Sequence, residues 1–349
     1  MAVMTMDDLA NLVLENYGSL ITSSVVHSGP ANELAPADSM FGRLRERGQV
    51  FIGGADDNDT KAREWAGHYS TPEAVSYDVS DAWPSDSADG YADASIGWKR
   101  IGIPVEADNL AILASRKGGL RGGLSGLDER VKNRFKSMFT KIEKDAFTDG
   151  TGNSSKDFTG LKAALSTSNT YAGIAQTGNA WWQANILAAG GKMITADMVD
   201  TLYANAYDNG ADDGSLELWM SLTQFQLWKR QFEPFIRRMP GDESTNLARY
   251  VYDSGNGRPI MIYILRDMPT DEVWMPRTSG IELRFLDHTP EGMLADQVKD
   301  TEVFQEGIPF GIETVPSGRD VKMLMLKVYG NYVVINPSHQ SAITGLPTS

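Results

Sequence analysis

Residues able to do chemistry are present in this chain, but they are scattered. Four histidines, His27, His68, His288 and His339, stand far apart. None has a second histidine or a carboxylate at a helical spacing such as His-Glu-x-x-His, which would hold a metal ion. There is no cysteine, which removes thiolate metal sites, a cysteine nucleophile and any disulfide framework, and suits a reducing compartment. No Gly-x-Ser-x-Gly elbow offers a serine nucleophile. The turns Asp208-Asn-Gly-Ala-Asp-Asp-Gly214 and Asp253-Ser-Gly-Asn-Gly257 are rich in oxygen donors, yet neither completes a twelve-residue calcium loop with its closing Glu. Gly118-Gly119 and Gly122-Gly123 suggest a phosphate cradle. No Gly-Lys-Ser/Thr follows and no apolar strand leads straight in, so a flexible hinge before a helix is the better reading. The chain has 46 acids and eight tryptophans. They allow a two-carboxylate carbohydrate-active enzyme with an aromatic platform as a contrasting hypothesis. No carboxylate pair stands out, and the tryptophans sit inside periodic elements where packing is the commoner use. No catalytic, cofactor-binding or metal-ligating residue is therefore assigned, and no cofactor is expected.

Composition points elsewhere. A length of 349 residues suggests two lobes, or one lobe with extensions. At 41% hydrophobic and 22% charged, the chain is of ordinary globular composition. No window approaches the apolar length of a membrane span. The first basic residue is Arg43, so the N-terminus lacks the charged region of a secretory signal and the protein is expected to stay where it is made. A formal charge of −14 disfavours a role as a DNA-gripping protein, which needs a basic stripe to replace condensed counterions.

The spread of charge is more telling than its total. From Glu64 to Trp98 there are seven acids and no Lys or Arg, whereas Arg116 to Lys144 holds nine bases against three acids. Such runs serve as solvated faces in most proteins. The sharper reading is that the two segments meet, within or between subunits.

Elements that would position these residues follow from the patterning. Residues 7–21 read as a short helix and 22–41 as an extended arm. Gln49–Ile52 reads as a strand halted by Gly53-Gly54. The polar, acidic stretch 55–94 is too long for an ordinary loop and is expected to be a projecting hairpin, returning along Ala94–Val105 with Ile96, Trp98 and Arg100 on one face. A basic amphipathic helix follows, with apolar positions 124, 127, 131, 135, 138, 139, 142 and 146 at the 3.6-residue period, Ser125 as its cap and Asp149-Gly-Thr-Gly152 as its stop. Thr195 is read as the cap of a helix through Tyr203 ending at Asn209-Gly210, and Thr223 as the start of another. Strands are expected at 216–220, 258–265, 272–275, 281–285, 321–328 and 332–335. No fixed repeat is visible. The fold class is α+β with a strand-rich C-terminal half.

The order of pieces around the centre is the most specific signal. Phe147-Thr-Asp-Gly-Thr-Gly-Asn153 and Phe158-Thr-Gly-Leu161 follow the basic helix and lead into Tyr171-Ala-Gly-Ile-Ala175 and Asn179-Ala-Trp-Trp-Gln183. This succession resembles the major capsid proteins of tailed bacteriophages, with the Hong Kong 97-type fold. Val328-Tyr-Gly-Asn-Tyr-Val-Val-Ile-Asn-Pro337 resembles the closing strand near their C-termini. The resemblance covers nearly the whole chain. It implies an N-terminal arm at 1–45, an extended loop at 46–118, a peripheral domain with a long spine helix at 119–158 and 283–327, and an axial domain at 159–282 and 328–349. It further implies self-assembly into hexamers and pentamers of an icosahedral shell around packaged double-stranded DNA, which is enclosed without sequence-specific binding.

The implied partners are other copies of the chain, a portal, and a maturation protease or decoration proteins; the lack of a long helical prodomain implies a separate scaffolding protein or prior processing. The implied location is the virion capsid, assembled in the host cytoplasm with no membrane contact. Within the same fold, an encapsulin-type nanocompartment enclosing cargo enzyme is the alternative. The family's reach of the extended loop over a neighbour, joined to the charge asymmetry, makes Asp78, Asp81, Asp86, Asp89 and Asp93 candidates for contact with Arg130, Arg134 and Lys141 of an adjacent subunit.

Overall fold

A computed structural model describes residues 39–53, 61–70, 90–108, 121–211, 214–232, 236–238, 250–252, 259–286, 311–315 and 321–348. Side chains are described within these ranges except at 107–132, 231–250, 311–322 and 324. The expected helix at 7–21 and the expected arm at 22–41 as far as residue 38 lie outside the described residues; the arm's last residues are not extended, since Ser39 caps a helix that Met40 and Phe41 begin.

One strand organises the first half of the fold. β15, Val321–Val334, runs unbroken for 14 residues, where the sequence suggested two strands separated by Gly330-Asn331. Gly330 is a place of close approach and not a turn. A Cβ there would lie 2.8 Å from the Arg284 carbonyl oxygen and 2.8 Å from the Phe285 ring, so glycine lets the neighbouring strand come near without a break. Around β15 are β1 (Val50–Gly53), β13 (Ile281–Leu286), β14 (Gly311–Val315) and β4 (Lys99–Asp108). The sheet order is β1-β13-β15-β14, with β4 also on β15. β4 follows β15 antiparallel over ten registered residue pairs. The projecting hairpin is present as β2 (Lys61–Ser70) and β3 (Gly90–Gly97), antiparallel, with 71–89 outside the described residues.

Against this sheet lies α2, Arg121–Ala146. It begins four residues ahead of Ser125, so Ser125 is inside the helix and cannot cap it. Gly122 and Gly123 belong to the first turn and are not a hinge. The apolar period holds where side chains are described: Phe135, Met138, Phe139, Ile142 and Ala146 are all buried. Ahead of β1, the seven-residue α1 (Met40–Glu46) packs on α2 through Phe41 and Phe139, edge to face at 5.9 Å. The first core joins these elements to the short helix α3 (Leu161–Ala164), to Tyr171 in the small ribbon of β5 (Thr170–Tyr171) and β6 (Ile174–Ala175), and to Trp182.

The second half is a seven-stranded sheet in the order β7-β16-β12-β8-β11-β10-β9. Its strands are β7 (Asn185–Ala188), β8 (Glu217–Met220), β9 (Ile236–Arg238), β10 (Tyr250–Tyr252), β11 (Ile260–Ile264), β12 (Val273–Met275) and β16 (Ser341–Thr344). The last strand therefore returns to sit between β7 and β12. Two helices, α4 (Ala196–Asp208) and α5 (Leu222–Phe232), complete the second core. Thr195 caps α4 as expected, its Oγ1 accepting the Met198 N–H at 3.3 Å, and Gly210 with φ +92° ends it. α5 starts at Leu222 and not Thr223, because Ser221 Oγ accepts the Gln224 N–H at 3.3 Å.

Candidate functional site

The hairpin and the parts that hold it form the candidate site for assembly. One face of β2 lies against the chain's own body. Gly67 sits under Trp181, where a Cβ would come within 3.0 Å of the indole. Tyr69 packs on Trp181 at 5.5 Å and Trp65 on Trp182 at 6.3 Å between ring centroids. The Trp65 indole N–H donates to the Ile335 carbonyl at 2.9 Å, and Arg63 pairs with Glu282 of β13. Trp182 is fully buried and donates to the Tyr171 carbonyl at 3.2 Å, while the Tyr171 hydroxyl accepts the Val334 N–H at 2.7 Å. The opposite face of the hairpin is open, presenting Glu64, His68, Tyr91 and Asp93, with Tyr91 56% exposed.

The base of the hairpin is fastened to the glycine turn that ends α2. Lys99 Nζ donates to the Gly150 carbonyl at 3.2 Å and the Asp157 carbonyl at 2.5 Å. Burial pulls the Lys99 ammonium below its ordinary range, against the opposing charges of Asp157, Asp145 and Asp149. Asn331, 1% exposed, accepts the Thr159 N–H at 2.7 Å and donates to the Gly97 carbonyl at 2.9 Å. Gly150 adopts φ +74°, and a Cβ at Gly160 would lie 2.0 Å from the Asp145 carbonyl oxygen. Both positions therefore require glycine. A chain reversal this tight lets α2, the hairpin base and β15 converge at one point.

On α2, the two carboxylates of the last turns are buried, Glu143 at 3% and Asp145 at 1% exposure. Arg134 and Lys144 lie outward. Among the described residues 133–146, the exposed positions are Asn133, Arg134, Ser137, Thr140 and Lys144, two bases and no acid. Of the residues singled out from sequence, Asp93 and Arg134 are exposed, on the hairpin and on α2 respectively. Arg130 lies in α2, with its side chain outside the described residues. Asp78, Asp81, Asp86 and Asp89 also lie outside them. Lys141 is committed within its own chain, pairing with Asp145 at 2.7 Å and Asp157 at 2.8 Å. Burial opposes its charge, but those two carboxylates outweigh it and hold the ammonium above its usual range.

Sequence reasoning missed a buried ionic centre that joins the two cores. Arg43, 3% exposed, and Arg47 both reach Glu217 of β8, which is fully buried. Trp219 Nε1 donates to the same carboxylate at 2.9 Å, and the Arg43 guanidinium lies 3.9 Å from the centre of the Tyr263 ring. The available signal was a charge placed at an apolar position, Glu217 within Leu-Glu-Leu-Trp-Met and Arg43 within Met-Phe-Gly-Arg-Leu. Among the described residues no three His, Asp or Glu side chains gather as a metal site. Trp182, Trp219, Trp228 and Trp274 are packed in the cores and offer no ring to a sugar. No helix of the described residues is long and apolar enough to cross a membrane.

No family model matches the chain, and no curated protein matches it in sequence. Solved structures do match it in shape. A subunit of the cyanophage A-1(L) capsid superposes with a TM-score of 0.64 at 15% identity, covering 89% of this chain and 93% of that one. The capsid of the native GTA particle matches at 0.51 and 12% identity, covering 87% and 90%. The SrpI encapsulin complex from Synechococcus elongatus matches at 0.52 and 8% identity, covering 87% and 88%. The fold is the Hong Kong 97-like capsid fold, mixed helix and sheet, as the order of motifs implied.

Proposed function

We propose that the chain is the major capsid protein of a tailed phage, assembling into hexamers and pentamers of an icosahedral shell that encloses double-stranded DNA. The observation that carries the reading is end-to-end likeness to a phage capsid subunit, 89% of one chain on 93% of the other. A hairpin clamped on one face and open on the other fits a subunit that works by touching neighbours. Rings of heterologous contacts close and so avoid open filaments. The role is structural, not catalytic. A peripheral part built on α2 and β15 and an axial part built on the seven-stranded sheet belong to this reading, with limits that follow whole elements and not 282/283 and 327/328, which β13 and β15 run across. A scaffolding protein, portal, and protease or decoration proteins are the partners of this reading, and the virion capsid, formed in the host cytoplasm, is its location.

A compartment of the encapsulin type is the second reading, favoured by the likeness to the SrpI complex at a TM-score of 0.52 against 0.64 for the cyanophage subunit. Particle contents separate the two: nuclease-resistant double-stranded DNA supports the phage reading, and a protein cargo supports the other.

Between subunits, the acidic hairpin docks near the basic face of the adjacent α2. Exposed Asp93 and exposed Arg134 support this, while the internal pairing of Lys141 removes it from the contact. Reversing Asp86 and Asp89 to Lys should impair shell formation and leave the circular dichroism of the subunit unchanged, because such pairs set register and association rate more than folding. Normal shells from this double variant at low salt, where the pairs are least screened, would discard the interface.

A further inference from the structure

The carboxylate of Glu143 has an unusual post. It is 3% exposed on α2, and its two oxygens accept the Met40 N–H at 2.8 Å and the Phe41 N–H at 2.7 Å. These are the first amides of α1, which have no partner within a helix. A side chain 102 residues away in sequence thus seats the start of this short helix. From its other flank α1 sends Arg43 across to Glu217 in the second core. Met40, Phe41 and Leu44 are buried in the first. The helix is a bolt between the two cores; at its start Glu143 holds the first two amides and Ser39 Oγ accepts the third, the Gly42 N–H, at 3.0 Å.

We propose that α1 is a proton-sensitive bolt: the protonation of Glu143 sets how firmly this helix is seated between the two cores. The two α1 amides favour the charged carboxylate, and beyond them the surroundings give it little net help. Asp267 and Arg266, following β11, act on it with opposite signs. Tyr332 of β15 gives its hydroxyl hydrogen to the Ile142 carbonyl at 3.0 Å and not to Glu143. Asp145, the other buried acid of this helix end, is bound to Lys141 and the Phe158 N–H. Burial pushes the Glu143 carboxyl up to about 7, against the lowering effect of the Phe41 and Met40 amides. Protonation gives up one of the two accepting oxygens and sheds a buried charge, and burial outweighs the lost acceptor.

The direction of the effect follows by linkage. Seated, Glu143 holds its proton to about pH 7; unseated in water it releases the proton near the ordinary 4.5. The contribution to seating is therefore full below about pH 4.5, falls as pH rises through the interval and levels off above about 7. Acid tightens the bolt and mild alkali loosens it.

The test is hydrogen exchange of the full-length protein, read by mass spectrometry on a peptide spanning residues 39–47 and corrected for the intrinsic pH dependence of exchange. Protection of this peptide is expected to fall by more than about tenfold between about pH 5.5 and about pH 7.5. Glu143→Gln, which keeps an accepting oxygen and cannot ionise, should show a flat profile. A flat wild-type profile overturns the proposal, and so does an E143Q protein that retains the wild-type response. Should E143Q fail to fold, the wild-type profile decides alone.

Discussion

The two cores are built by different means. In the second, around α4, α5 and the seven-stranded sheet, helix limits are set by neighbours in sequence: Thr195 three residues before Met198, and Ser221 three before Gln224. In the first, polar side chains bridge long separations. Asn331 holds residue 159 and the hairpin base, Glu143 seats α1, and Tyr332 reaches the α2 backbone. The first is a place where several chain segments are fastened together, and the hairpin leaves from it. The second has fewer such ties, Gln224 Nε2 to the Thr270 and Pro347 carbonyls and Ser341 Oγ to the Leu202 carbonyl among them, and one ion pair imported from α1. Fastening by buried polar groups fixes geometry, because each group left unpaired is costly.

Substitutions can break this contrast. The largest effect is expected at the knot of the first core. Gly160→Ala forces a methyl group into the Asp145, Ala146 and Thr148 carbonyls, and a loss of more than about 4 kcal/mol or failure to fold is expected in chemical denaturation. Next is the joint between the cores. Glu217→Ala leaves the buried Arg43 with only the half-exposed Glu46 as a carboxylate partner and should cost about 3 kcal/mol, with the region 40–47 the first to gain exchange. Smallest is a local change in the second core: Thr195→Ala removes one cap and should cost about 1 kcal/mol, leaving exchange in the hairpin unchanged. A Thr195→Ala effect as large as that of Gly160→Ala would erase the distinction.

The same contrast explains what was legible in the sequence. Thr195, Gly210 and the apolar face of α2 follow rules of local spacing, so they were readable. The hairpin was legible only in outline. Its first strand, β2, lies inside the stretch that reads as polar, and the return along 94–105 divides at Trp98 into β3, paired with β2, and β4, paired with β15. The unity of β15 was not legible, because Gly330-Asn331 has the composition of a turn and only the nearness of Arg284 and Phe285 shows why a glycine is there. The start of α2 was misplaced because Gly122-Gly123 reads as a breaker, whereas a helix of 26 residues carries both in its first turn. Trp181 and Trp182 were seen as a motif, but their seat under Gly67 depends on a strand more than 110 residues earlier in the chain. Lys141 looked like a surface base because its partner Asp157 lies beyond the glycine turn. The glycine turn itself reads in the sequence as the stop of α2. The structure shows it as the point where Lys99 and Asn331 tie the hairpin down.

The central claim is that this fold assembles. Negative-stain electron microscopy of the purified, expressed chain tests it most directly. Closed megadalton shells are the expected result. A monodisperse 38.2 kDa monomer, with no particles under any assembly condition, would contradict it.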